Sequence, residues 1–134
     1  MKIKRYGHGE GDFWSMMGPF FASAKVRREL GGAMSSDENY TWWVAIDDNS
    51  QVAGFVAVEI KDNKAVFHHG YVAPDHRDNQ VYRSLFLERL KYTKDRVIKI
   101  KVTVAQSNVD IFLENGFVET KRNGQYHVLS WRQG

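Results

Sequence analysis

Val72-Ala73-Pro74-Asp75-His76-Arg77-Asp78-Asn79-Gln80-Val81-Tyr82-Arg83 is the stretch on which the reading of this chain turns. Before it, Ala65 to Val72 is an extended run rich in aromatic and β-branched residues. After it, Tyr82, Leu85, Phe86 and Leu90 recur at helical spacing in a segment running from about Gln80 to Lys94. A strand, a short polar loop and a helix start make a backbone cradle for an anion. The first amides of such a helix have no intrahelical acceptor, and the helix dipole adds partial positive charge there. Arg77 in the loop and Arg83 in the first turn add full charges.

Outward from this stretch, punctuation divides the chain cleanly. Asp62-Asn63 turns Val52–Ile60, with Val52, Val56, Val58 and Ile60 on one face, into the strand that precedes the loop. Asp47-Asp48-Asn49-Ser50 separates the Val52 strand from an apolar run over Thr41–Ile46. Upstream, Lys2–Tyr6 reads as a strand, and Asp12 reads as the N-cap of a helix carrying Phe13, Trp14, Met16 and Met17. Gly18-Pro19 is expected to interrupt it, with a second helix from Pro19 to about Leu30 stopped by Gly31-Gly32. Downstream, Ile98–Val104 alternates as a strand, and Ser107 or Asn108 caps a short helix ending at Gly116. Phe117–Arg122 and Gln125–Trp131 form a hairpin around an Asn123-Gly124 turn. The order is β, α, α, β, β, β, α, β, α, β, β. It predicts an α+β chain with a mixed, mostly antiparallel sheet of about seven strands and helices on both faces. Residues 1–134 are expected to form a single domain.

Composition narrows the function classes. The chain has 134 residues, a net charge of +3 and no cysteine, which excludes disulfides, thiolate zinc sites and a covalent cysteine intermediate. No apolar run approaches the ~20 residues that cross a bilayer. The basic start, Met1 to Arg5, is not followed by an apolar signal region. A cytoplasmic protein without a membrane partner is expected. Basic residues cluster at Lys25, Arg27 and Arg28 and from Lys91 to Lys101, as solvated faces or as attraction for an anionic ligand.

The loop resembles the acyl-CoA-binding loop of the GCN5-related N-acetyltransferases, the GNAT superfamily, whose pattern is Val-x-Pro-x-x-Arg/Gln-x-x-Gly-x-Gly/Ala. Val72, Pro74, Arg77 and Val81 are kept, while Gln80 and Tyr82 stand where the family has small residues. A second block, Asn108-Val109-Asp110-Ile111-Phe112-Leu113-Glu114-Asn115-Gly116-Phe117, is similar to the family's Asn at a helix start and its Tyr-x-x-x-Gly-Phe close. The resemblance implies the GNAT fold and an acetyl-CoA-dependent N-acetyltransferase in which a primary amine attacks directly. It implies that Val72 and Ala73 amides hold the acyl carbonyl. Arg77, Asp78, Asn79, Gln80, Val81, Tyr82 and Arg83 would hold the pyrophosphate, with Asn108 and Phe112 along the CoA arm. The implied acceptor is a small-molecule or protein amine, and a homodimer is an expected assembly.

Two departures bear on mechanism. Phe112 stands where many family members carry a Tyr that protonates the leaving thiolate, and Phe has no proton to give. Water or another residue then does so, or the usual reaction is not catalysed. Gln80 puts a side chain where glycine lets backbone approach an anion, so weakened CoA binding is expected. The candidate base is His68, ahead of His69 and Glu59. By strand alternation His68 shares a face with Val66, Gly70 and Val72, while His69 shares the other with Phe67 and Tyr71. On that geometry the histidine pair chelates no ion, and no metal is expected. Two alternatives remain: a GNAT-like scaffold that binds a ligand or partner without catalysis, and a protein acting on nucleic acid. The latter draws on the basic clusters and on the ring-rich N-terminal half, Trp14, Phe20, Phe21, Trp42 and Trp43.

Overall fold

The computed structural model describes residues 1–77 and 80–134. Among these, seven strands form one sheet in the order β1-β2-β3-β4-β5-β7-β6. The strands are β1 (Lys2–Gly7), β2 (Tyr40–Ile46), β3 (Val52–Lys61), β4 (Lys64–Val72), β5 (Lys99–Ala105), β6 (Val118–Asn123) and β7 (Tyr126–Arg132). The helices are α1 (Phe13–Phe21), α2 (Ala24–Leu30), α3 (Val81–Lys94) and α4 (Val109–Glu114). Every neighbouring pair is antiparallel except β4 and β5, which are parallel and joined through α3. The architecture is the expected α+β arrangement, with helices on both faces.

Strand alternation builds two cores. Val56, Val58, Phe67 and Ile100 face Leu85 and Phe86 of α3 and Phe112 of α4. Trp42, Val44, Phe55 and Ala57 face Phe13 and Met17 of α1 and Val26 of α2. Adjacent Trp42 and Trp43 therefore serve opposite cores. Full burial of side chains such as Leu85 and Phe86 stabilises the layering by roughly 1.5–3 kcal/mol each.

Local details depart from the sequence reading in three places. The α1 helix runs through Gly18-Pro19 to Phe21, and α2 begins afresh at Ala24. Continuity through Pro19 keeps the partly buried Phe20 and Phe21 on the same stripe as the buried Phe13 and Met17. Full burial of Phe13 and Met17, at ~1.5–3 kcal/mol each, with the partial burial of Phe20 and Phe21 added, offsets the ~3 kcal/mol that an interior proline costs. The break falls instead at Ser23, whose hydroxyl accepts from the Val26 amide at 3.2 Å. Asp12 makes no side-chain cap; its carboxylate accepts from the buried Tyr6 hydroxyl at 2.8 Å. In the last hairpin Asn123 pairs with Tyr126, so the two-residue turn is Gly124-Gln125, with Gly124 supplying the left-handed φ of 60°.

Two features of β4 position the site. It pairs with β5 only from Lys64–Lys99 to Phe67–Val102; beyond that the strands diverge and open a cleft. At the divergence its register against β3 slips between Phe55 and Ala57, a bulge in which His69 takes a left-handed φ of 55°. Gly54 allows β3 to lie close to β4 past the bulge, since a Cβ there would sit 2.7 Å from the Tyr71 carbonyl oxygen.

Candidate active site

The bulge overturns the expected alternation. Ala57, a member of the α1/α2 core, pairs with His68, whose ring stacks on Tyr40 at 5.4 Å. His69 stacks on Trp42 at 5.6 Å and lies 5.3 Å from the His68 ring. Both imidazoles thus occupy the α1/α2 face, whereas Val72 packs on the α3 side. His68 does not share a face with Val72, and His69 is not on the face opposite His68. The extra residue at the bulge shifts the parity of everything after it. The geometric ground for excluding a metal fails with it, although among the described residues no group of three His, Asp or Glu side chains is placed to hold an ion.

The three candidate bases converge. Glu59 Oε1 is 3.1 Å from His68 Nε2, and both side chains are roughly 30 % exposed (29 % for His68, 31 % for Glu59). His69 Nε2 accepts from the Ser35 amide at 3.3 Å, which fixes it as a neutral imidazole with its proton on Nδ1. Burial, reinforced by the neighbouring His68, pushes its pKa down to about 4. His69 is therefore a structural acceptor and a weak base, while His68 has a carboxylate partner.

Three contiguous depressions run from the α3 start into the cleft, and Tyr82 lines all three. The outermost lies against Arg77, Gln80 and Arg83 at the first turn of α3. The middle one, about 530 Å³, is bounded by Val72, Arg77 and Asn108. The innermost, about 140 Å³, lies between the diverging strands and meets His68, His69, Asn108 and Phe112. A chain entering with its anionic end at α3 and its other end in the cleft fits this trough.

The expected cofactor-binding residues are not all available as the sequence implied. Asp78 and Asn79 lie outside the described residues. The Val81 side chain is in the core, leaving only its backbone for a ligand. The Ala73 amide already donates to the Ala53 carbonyl at 2.8 Å, so it is not free to hold an acyl oxygen. Arg77 donates to the Val72 carbonyl at 3.0 Å and to Glu29 of α2 at 2.8 Å. Gln80 adopts a left-handed φ of 62° as it caps α3, the conformation a small residue would supply at no cost. Phe112 is fully buried, edge-on to Phe86 and Phe117 at 4.8 and 5.1 Å.

Two charged residues of the site escaped the sequence reading. Glu29 reaches the trough only through the tertiary fold, and no local signal marks it. Arg89 is 2 % exposed and lines the innermost cavity. It donates to the carbonyls of Ala57 and His68 at 3.0 and 3.2 Å, bracing the bulge. Burial lowers its pKa to about 10, leaving it cationic at neutral pH. A buried charge costs several kcal/mol before compensation, and the signal in the sequence was a charge inside the apolar stripe of Tyr82, Phe86 and Leu90.

The acetyltransferase (GNAT) domain family matches residues 19–131. No curated protein matches the chain. Among solved structures, the chain is similar to the PaiA N-acetyltransferase of Thermoplasma acidophilum in complex with coenzyme A. The two are 15% identical over 99% of this chain and 100% of that one, with a TM-score of 0.64. It is also similar to the ribosomal-protein-S18-alanine N-acetyltransferase of Escherichia coli (16% identity, 98% and 94% covered, TM-score 0.69). A chimera of the spermidine N-acetyltransferase SpeG of Vibrio cholerae gives 21% identity, 99% and 96% coverage and a TM-score of 0.65. At these identities the likeness shows the fold.

Proposed function

The chain belongs to the GNAT acetyltransferase family, whose co-substrate is acetyl-CoA, and from that premise we propose that it acetylates a primary amine by direct attack. The observation that carries this reading is the trough from the α3 N-terminus to the β4–β5 divergence, with the Glu59–His68 pair on the face from which an acceptor would arrive. Arg83, the first amides of α3 and Arg77 bind the pyrophosphate. Asn108 and Tyr82 line the path of the pantetheine arm. The amides at the His69–Gly70 bulge, where the β3 ladder is interrupted, polarise the acyl carbonyl in place of the occupied Ala73 amide.

His68 takes the proton of the attacking amine. Glu59 accepts a hydrogen bond from His68 Nε2, so Nδ1 is the basic nitrogen. The acceptor is a small-molecule or protein amine; Glu59 beside the cleft favours a cationic one. Calorimetry with acetyl-CoA and with CoA tests the reading. Binding of both supports it, and no heat at millimolar ligand contradicts it.

A second reading, action on nucleic acid, rests on the uncovered face of β5, β7 and β6. A groove of about 570 Å³ there carries Lys99, Lys101 and Lys121, none in an ion pair among the described residues. Salt-sensitive binding of single-stranded RNA that is lost in a Lys99→Glu, Lys101→Glu variant would favour it.

A further inference from the structure

The acetyl transfer described above makes no use of the most unusual group in the cleft, the guanidinium of Arg89. It projects from the same stripe of α3 as Tyr82 and Phe86 and lies over the Phe67 ring, 4.0 Å from its centroid. Nη1 is held by two backbone carbonyls. Nε is buried without a hydrogen-bond partner, and among the described residues no carboxylate forms an ion pair with Arg89. Two carbonyls, a ring face and the neighbouring Tyr82 hydroxyl, which carries no charge, compensate a buried cation only in part. Such a charge, set in the wall of a small cavity, is suited to a negative charge that arrives there during turnover. The cavity is the inner end of the trough, past Asn108 and Tyr82. A CoA whose pyrophosphate sits at the α3 N-terminus directs its sulfur toward that end.

We propose that Arg89 is the cation that stabilises the leaving CoA thiolate, a catalytic role that replaces proton donation from position 112. The inference rests on the acetyl-transfer reading. As the amine nitrogen bonds to the carbonyl carbon, the carbon–sulfur bond breaks and its electron pair stays on sulfur. The amine proton goes to His68, and the thiolate takes a proton from water after CoA leaves. Arg89 meets the charge developing on sulfur in a confined site where charge interactions are little screened. This accounts for Phe112: with a fixed cation at the thiolate, a hydroxyl there is dispensable. The other polar groups around the cavity are His68 and His69 from β4, Tyr82 from α3, Glu29 from α2, Thr103 from β5, Asn108 before α4 and Tyr126 from β7. His69 is neutral, Tyr82 is held protonated by its burial, and Glu29 is already paired with Arg77. Arg89 is thus the permanent cation of the set.

The test is titration of the thiol of protein-bound CoA by thiolate ultraviolet absorbance, with desulfo-CoA as the blank. In the wild-type complex the bound thiol should titrate about 1–3 units below free CoA, the effect of an opposite charge within contact range. Arg89→Met should return it to the free value or above, and Arg89→Lys should keep at least half of the depression. A wild-type complex whose thiol titrates at or above free CoA overturns the proposal, as does an unchanged value in Arg89→Met. If Arg89→Met does not fold, the wild-type and Arg89→Lys titrations decide. If CoA binds but its thiol is unshifted, only this inference fails; if CoA does not bind at all, the acetyl-transfer reading falls with it.

Discussion

Glu59 of β3 and His68 of β4 form a diagonal cross-strand pair, Oε1 to Nε2 at 3.1 Å, with His68 at the last register position before the bulge beside the cleft. The carboxylate fixes the imidazole tautomer and leaves Nδ1 to take a proton. His68→Ala should lower kcat/KM for the acceptor by roughly 10²–10⁴-fold, the usual contribution of a positioned base. Acetyl-CoA affinity should stay near wild type. Glu59→Gln should fall between the two, and His69→Asn should cost much less, because the His69 imidazole is occupied by the Ser35 amide. Steady-state kinetics at saturating acetyl-CoA measures all three, and wild-type rates in His68→Ala would remove the assignment.

His69 gives the fold a pH dependence of its own. Its pKa in the folded state, about 4, lies below the ordinary value of 6.5. Between those values the unfolded chain binds the proton more readily, so stability is full above pH 6.5 and falls as pH drops toward 4. The loss from this one group should be on the order of 1–3 kcal/mol. Asparagine tolerates the left-handed backbone and does not titrate, so urea unfolding of His69→Asn should show a flatter dependence over that range. An equally steep curve would mean that other groups dominate.

The element order, the mixed and mostly antiparallel sheet and the use of both sheet faces were legible in the sequence, because each strand and helix carried its own period and its own turn residues. What was not legible came from single residues that break a period. The His-His pair looks like ordinary alternation, and nothing local announces that the chain bulges at His69 and carries both rings to one side. Pro19 reads as a stop until the burial of Phe20 and Phe21 is weighed against it. Arg89 was visible as a charge in an apolar stripe, but its carbonyl partners are more than twenty residues away in sequence. The Glu29–Arg77 pair spans 48 residues and has no local trace.

That ion pair makes a prediction about ligand binding. Its side chains are 33% and 50% exposed, so it contributes at most about 1 kcal/mol to stability. It does, however, engage the arginine that is to meet the pyrophosphate. Glu29→Gln should therefore tighten acetyl-CoA binding by a few-fold. Arg77→Ala should weaken it by about 1–3 kcal/mol, the range for losing a charge-assisted hydrogen bond. Calorimetry on the two variants checks this. Weaker binding in Glu29→Gln would show that the glutamate positions Arg77 productively.

At Gln80 the left-handed backbone decides the sign of a glycine substitution's effect on stability. In a right-handed position, Gln80→Gly would destabilise through added chain entropy. At a φ of 62° the glutamine bears a left-handed strain of ~1–2 kcal/mol that glycine relieves, against an entropic cost of ~0.5–1. Gln80→Gly should be neutral to about 1 kcal/mol more stable, and should bind acetyl-CoA more tightly as the backbone opens to the phosphates. Thermal denaturation with and without ligand separates the two effects.

The measurement that bears most directly on the account is single-turnover acetyl transfer. Purified protein is mixed with acetyl-CoA and a panel of primary amines that includes a polyamine and an N-terminal peptide. Free CoA thiol and acetylated amine are then quantified by mass spectrometry. The account predicts stoichiometric appearance of CoA and of one N-acetylated product, strongly reduced in His68→Ala. Acetyl-CoA that binds in the trough but gives no acetylated amine with any acceptor, at the same background thiol release in wild type and His68→Ala, would contradict it.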